Sequence, residues 1–346
     1  MAPTNQKVSN HVPEDIVFSI FSKLPLKSLN RFTCLGKSWT LLFENPYFMN
    51  MFYKNIVFKY HSLYDEASLL LNYEWKLYFL SGERFENKVQ MKWPHPFDQK
   101  RGCYPCILGS SINGTLCIYD AHDTSTTVLW NPATEELKII PEKKAPMYKH
   151  ESYFTIHGFG YDRVRDDYKV LQHVVYIEDD WDQVAPPATH WDIYSLRSNH
   201  WKKLYVDMRQ RYLTSEGSMV YLNGVCHWWG KIYRQPIETF VVSFDLANEV
   251  PVTTLFPFDS HGLKWFDKHL TTLNGFVAMI ITYEKNTSSF RISISVLGEP
   301  GVNESWTKLF DVGPMSGIDH PIGAGKKVDI VLRKYDGELA CLDLTT

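Results

Sequence analysis

The sequence contains no uninterrupted apolar run of 18 residues, so no segment of it is expected to cross a membrane as a helix. Its opening stretch, MAPTNQKVSNHVPED, lacks the apolar core of a secretory signal, and export by that route is not expected. The 6 cysteines prove no disulfide framework in a chain of 346 residues. Without an export signal their thiols are expected to stay reduced, in the cytoplasm, the nucleus or both. An excess of one charge is missing too: the net charge of -3 offers no polybasic signature for nucleic acid. Catalytic and metal signatures are equally scarce. The 13 histidines form no HExxH and no i,i+4 pair. Cys103-Tyr-Pro-Cys106 is a single CxxC without the second pair that a zinc site needs, and it reads as two loop cysteines. Gly158-Phe-Gly160 is too short to cradle a phosphate and reads as a tight entry into a strand. His227, in Cys226-His-Trp-Trp, reads as a strand residue with no Ser/Asp grouping around it. No cofactor, metal or catalytic residue is expected, and the chain is read as non-enzymatic.

What is present is apolar and aromatic. Hydrophobic residues make up 44% and aromatics 15%, enough for a sizeable core and for many half-buried strands. The length suits two domains rather than one. Residues 1–60 hold seven Lys/Arg against Glu14, Asp15 and Glu44, a basic head that suits an acidic protein partner.

That head has helical periodicity. Pro13 suits a first helical position, and Glu14 and Asp15 complement the positive helix terminus. Ile16, Ile20 and Leu24 follow at i, i+4, i+8. Leu24-Pro25 breaks this helix, and Pro25 can open a second one with Leu26, Leu29 and Phe32 on one side. A third segment runs from Cys34 to Phe43 around Leu35, Trp39 and Leu42, and Asn45-Pro46 starts a fourth. So small a bundle buries too little surface to stand alone, and its apolar positions exceed what one small interior holds. An interaction module is the physical expectation.

The residues VPEDIVFSIFSKLPLKSLNRFTCLGKSWTLLFENPYF closely resemble the F-box, a helical motif that docks on the Skp-type adaptor of Skp–cullin–F-box (SCF) ligases. The match departs from the family at Val12, where Leu is usual, and at Gly36, where plant members often have Cys. The resemblance implies an F-box over residues 9–55 in which Pro13, Ile16, Ile20, Leu24, Pro25, Leu29, Phe32, Lys37 and Trp39 meet the adaptor.

Beyond residue 60 the period becomes alternating. Hairpin signals recur at Asn113-Gly114, Asn223-Gly224, Asn274-Gly275 and Asp336-Gly337, with Tyr161-Asp162 between the first two. Their spacing of about 50 to 60 residues is in the kelch range and predicts a propeller of four-stranded blades. The second half of each unit repeats as strand, turn, strand: Thr127 to Ile140, Trp191 to Leu204, Val241 to Leu255, and Ile292 to Phe310 with a longer loop. Tyr194 and Trp201 stand seven apart, as in a kelch blade, although the kelch double glycine is absent.

GSSINGTLCIYD, LWNPATEELKIIP, HGFGYDRVRDDYKVLQ, LNGVCHWWG and SFDLANE together resemble the F-box-associated domain of a large plant family. The expectation is an α+β multidomain chain. The F-box at 9–55 is followed by a linker and first blade at 56–104, then by a kelch-like β-propeller at 105–346. Relatives continue past Leu344-Thr345-Thr346 into another strand, so completeness of the last blade is left open.

The function implied is that of a substrate-recognition subunit of an SCF ubiquitin ligase. Its partners would be a Skp-type adaptor, cullin through that adaptor, and a protein substrate whose identity and site the sequence does not reveal. Alternatives from other classes are a carbohydrate- or small-molecule-binding propeller, a self-incompatibility type of F-box protein, and a kelch-like propeller enzyme. The acidic, Pro-rich stretch Glu178 to His190, Lys231 to Pro236, and Phe258 to Trp265 are candidate binding loops.

Overall fold

The computed structural model describes residues 14–21, 48, 69–81, 87–99, 102–123, 125–143, 151–177, 189–206, 208, 219–232, 238–256, 264–286, 289–324 and 329–344. A helix, α1 (Glu14–Phe21), precedes six antiparallel sheets. The first sheet is β1 (Leu69–Tyr73), β2 (Lys76–Ser81) and β3 (Asn87–Met91). The second is β4 (Pro105–Ile107), β5 (Leu116–Asp120), β6 (Thr127–Asn131) and β7 (Glu136–Ile139). The third is β8 (Glu151–Asp162), β9 (Asp167–Ile177), β10 (Thr189–Ser195) and β11 (His200–Leu204). The fourth is β12 (Val220–Leu222), β13 (Val225–Ile232), β14 (Glu238–Asp245) and β15 (Val250–Leu255). The fifth is β16 (Lys264–Leu273), β17 (Phe276–Asn286), β18 (Ser289–Leu297) and β19 (Trp306–Met315). The sixth is β20 (Ile318–Ala324), β21 (Asp329–Lys334) and β22 (Leu339–Asp343).

Every sheet is a meander in which neighbours in sequence are neighbours in space, and the six blades form a β-propeller. The first strands β8, β12, β16 and β20 lie side by side. The core is divided among the seams between blades. Phe97, Leu116, Ile118 and Val128 fill the first seam with Leu70. Cys117, Leu129, Phe159, Val170 and Tyr194 fill the second, and Leu171, Trp191, Trp228, Val242 and Phe244 the third. Val241, Leu270 and Met279 occupy the fourth, Ile292, Ile294, Ile330 and Leu332 the fifth. The ring closes from the sixth blade to the first: the Arg333 guanidinium lies 4.7 Å over the Tyr73 ring.

Local chemistry explains the turns. Asn113-Gly114, Asn223-Gly224 and Asn274-Gly275 all have both residues at positive φ, the hallmark of two-residue type I′ hairpins. Asp336-Gly337 differs: only Gly337 (φ 84°) is left-handed, in a turn one residue longer, closed by Gly337 N–H donating to Lys334 O. Glu74-Trp75 makes the same two-residue turn as Asn-Gly, at φ 49° and 62°, without a glycine. The hairpins β6–β7, β8–β9, β10–β11 and β14–β15 have four-residue loops, and three of them share one device. Asn131 Oδ1 accepts from the N–H groups of Ala133 and Thr134. Asp162 Oδ1 accepts from Val164 and Arg165, and Asp245 Oδ1 from Ala247 and Asn248. The last loop residue is left-handed each time, at Glu135, Asp166, Asn199 and Glu249.

Gly158 and Gly160 do not mark a strand entry; both lie inside β8. A Cβ on Gly158 would sit 2.7 Å from Leu171 Cδ1, and one on Gly160 2.7 Å from Tyr221 Cδ2. Close approach between strands, and between the third and fourth blades, is what excludes a side chain there. Likewise Cys106 is a strand residue of β4 rather than a loop residue, while Cys103 precedes that strand; both are free thiols.

Candidate interaction surfaces

Helix α1 divides its apolar residues between two sides. Phe18 is buried and joins Phe48 at a ring distance of 5.5 Å, edge to face. Both belong to the apolar cluster between the fifth and sixth blades, with Phe21 packed against it. Ile16 and Ile20, one turn apart, are instead 47% and 54% exposed. An exposed isoleucine pair on an amphipathic helix is apolar surface available to another polypeptide. Pro13, Leu24, Pro25, Leu29, Phe32, Lys37 and Trp39 lie outside the described residues, as do most of the loops singled out at 178–190, 231–236 and 258–265. Of these last, His190 is at the start of β10 and Trp265 is in β16.

The propeller has two unlike ends. The turns at 113–114, 223–224 and 274–275 and the loops of β6–β7, β8–β9, β10–β11 and β14–β15 project from one, while the connections β9–β10, β13–β14 and β15–β16 leave from the other. The turn end of the third blade is held by charge. Lys169 is buried, and its Nζ donates to Asp162 Oδ2 and Leu246 O, each at 2.8 Å. Arg165 donates to Asp162 Oδ2 at 3.0 Å and to Ala247 O at 2.5 Å, tying the third blade to the fourth. Burial works to raise the Asp162 carboxyl, but the bonds from Lys169 and Arg165 outweigh it and bring its pKa down to about 2.

Toward the other end, alternate residues of the third blade face different neighbours. On the fourth-blade side His173 stacks on Trp191 at 4.7 Å, and His157 lies 5.0 Å from Trp191 and 6.0 Å from Trp228. His157 Nε2, both nitrogens of His173, and Nε1 of Trp191 and of Trp228 are buried without a hydrogen-bond partner. Desolvation lowers the pKa of His157 to about 3 and of His173 to about 4, so both rings are neutral at pH 7. On the second-blade side Asp192 is fully buried and accepts from Lys143 Nζ at 2.5 Å, with His190 Nε2 at 3.1 Å. Desolvation would raise the Asp192 carboxyl; the contacts from His190 and Lys143 override it and lower the pKa.

The sequence alone singles out none of Lys143, Lys169, Gln172 or Asp192; the Lys143–Asp192 and Lys169–Leu246 bonds join segments 49 and 77 residues apart. Cys103 Sγ lies 3.5 Å from Phe97 O, and His227 is buried in β13 with Nδ1 2.8 Å from Ser243 Oγ, where desolvation lowers its pKa to about 3. Among the described residues, no group of three or more His, Cys, Asp or Glu could hold a metal ion, and no helix is long and apolar enough to cross a membrane.

Comparison with known proteins agrees with this architecture. The family model for the F-box associated beta propeller domain matches residues 110–331. Among Arabidopsis thaliana proteins, the F-box protein CPR1 is 26% identical over 317 residues, covering 87% of this chain and 73% of the relative. F-box/WD-40 repeat-containing protein 1 is 25% identical, covering 89% and 70%. A putative F-box protein, At3g16210, is 27% identical over 70% of this chain, which spans 59% of that relative's length. A solved oligogalacturonate lyase from Vibrio parahaemolyticus aligns over 81% of this chain and 75% of its own at 10% identity and a TM-score of 0.42, too distant to bear on fold or function. With its six blades and the matched residues 110–331, the chain belongs to the plant F-box proteins that carry an F-box-associated β-propeller domain.

Proposed function

We propose that the chain is the substrate-recognition subunit of an SCF ubiquitin ligase, working in the cytoplasm, the nucleus or both. The F-box, residues 9–55, docks on a Skp-type adaptor, and through it on cullin; the propeller holds a protein substrate for ubiquitination. The observation that carries this reading is the division of α1: Phe18 is sealed against the propeller while Ile16 and Ile20 face outward. Each isoleucine covered by the adaptor would contribute about 1.5–3 kcal/mol through apolar area removed from water. Pro13, Leu24, Pro25, Leu29, Phe32, Lys37 and Trp39 are proposed to extend that contact.

The chain carries out no bond-making step in this account. It acts by proximity, raising the effective concentration of substrate near the ligase's ubiquitin-loading arm. Capture of a purified Skp-type adaptor by wild type and by Leu29→Asp tests the assignment. Loss of capture in the variant is expected, and equal recovery from both would count against it.

A further inference from the structure

The sixth blade differs from the four before it in what completes its core. Blades two to five each have four strands; among the described residues the sixth has three, with β22 outermost. Across β21 and β22, Ile330 pairs with Leu342 and Leu332 with Ala340, so these four side chains share one face of the sheet. Leu344 follows two residues after Leu342. All five belong to the apolar cluster that also holds Phe18 and Phe48, contributed from the other end of the sequence. Phe48 and Ile330 are both 0% exposed, so the two segments seal one another.

The dependence runs in both directions. Helix α1 has eight residues, and a helix shorter than about 12–15 residues is marginal in water, so packing rather than propensity holds it. From Ile16 to Phe21, Phe18 is its one buried side chain. Ile16 and Ile20 lie on the opposite side, because two residues along a helix turn the direction by about 200°. The same short helix therefore shows one side to the sixth blade and the other to solvent. A ligand that needs α1 helical, with both isoleucines presented, binds the docked helix better than an undocked segment. That difference in affinity stabilises the docked state by mass action.

We propose that α1 is a clamp on the sixth blade: Phe18 and Phe48 complete that blade's apolar core, and an adaptor bound to the Ile16–Ile20 side tightens β20–β22 through them. Adaptor binding and the order of the last blade are then coupled, each favouring the other by the same free energy. The coupling rests on the adaptor reading, whereas the clamp itself does not, and two arms of one experiment separate them.

That experiment is amide hydrogen exchange of the full chain, read by mass spectrometry. In Phe18→Ala, β20–β22 should exchange at least about a hundredfold faster, as expected for truncating a buried phenylalanine. Strands β8–β11, whose buried residues belong to other clusters, should keep the wild-type rate. Unchanged exchange in β20–β22, or equal acceleration in β8–β11, would overturn the clamp. Should Phe18→Ala fail to fold, Phe18→Leu replaces it, with an acceleration of about fivefold in the same strands and the same two contrary outcomes. In the second arm, saturating purified Skp-type adaptor should slow exchange of β20–β22 in the wild type by about tenfold or more. Capture of the adaptor with no slowing there would overturn the coupling. Failure to capture it would overturn the adaptor reading and the coupling together, the clamp being decided by the Phe18 variants alone.

Discussion

The two ends of the third blade use similar residue types to opposite effect. At the turn end Asp162, Lys169 and Arg165 satisfy one another, and the backbone N–H groups of Val164 and Arg165 are capped as well. Toward the other end Gln172, His173 and Trp191 are as deeply buried, yet keep ring or amide nitrogens without partners. A satisfied buried network rigidifies, while an unsatisfied one spends stability on groups available for something else. The blade is thus anchored at one end and chemically unfinished at the other, where the longer connections emerge.

The largest expected effect breaks the anchored end. Lys169→Ala leaves the Asp162 carboxylate buried with only the exposed Arg165 beside it, and should cost about 3–5 kcal/mol in urea unfolding. Loss of less than about 1 kcal/mol would mean that the network is not what joins the third and fourth blades there.

Acid should act on the buried imidazoles. His157, His173 and His227 have pKa values of about 3, 4 and 3 in the folded chain, below the ordinary value of 6.5. Protons then bind the unfolded chain first, so stability is retained above pH 6.5 and falls as pH drops from there toward 3 to 4. At pH 5 the loss is on the order of 2 kcal/mol for each ring. The urea midpoint should drop between pH 7 and 5, and His173→Phe should flatten that dependence. A pH-independent midpoint would contradict the burial of these rings.

A smaller effect probes the seam itself. Gly160→Ala places a methyl group against Leu246 and Tyr221 and should cost about 1–3 kcal/mol by overpacking. Alanine at Gly224, with no atom within 4 Å of its Cβ, should lose only the cost of its left-handed φ of 88°, about 1–2 kcal/mol. If the two variants prove equal, blade-to-blade contact is not what Gly160 serves.

Much of the fold was legible because its determinants are local. Asn-Gly at 113, 223 and 274 dictates a two-residue turn, and Tyr194 and Trp201 do face one another across β10 and β11, with rings 5.4 Å apart. The strand-turn-strand halves fall where alternation put them. Glu74-Trp75 was missed because its residues carry no intrinsic preference for the left-handed region; the register of β1 with β2 imposes it. The meeting of the second and third blades was invisible for another reason. Ser125, Lys143, Gln172 and Trp201 come together only when two blades pack, and no spacing along the chain encodes that. Phe18 shows the same limit: helical periodicity marked α1 as amphipathic, but its buried side is defined by Ile280, Ile330 and their neighbours far along the sequence.

The outward side of α1 is the surface on which the adaptor assignment stands or falls. Titration of purified Skp-type adaptor onto the full chain and onto Ile16→Asp/Ile20→Asp, with urea midpoints measured in parallel, tests it most directly. Adaptor binding should weaken by at least about a hundredfold while the midpoint stays put, since both residues are exposed before binding. Undiminished binding by a folded double variant would contradict it.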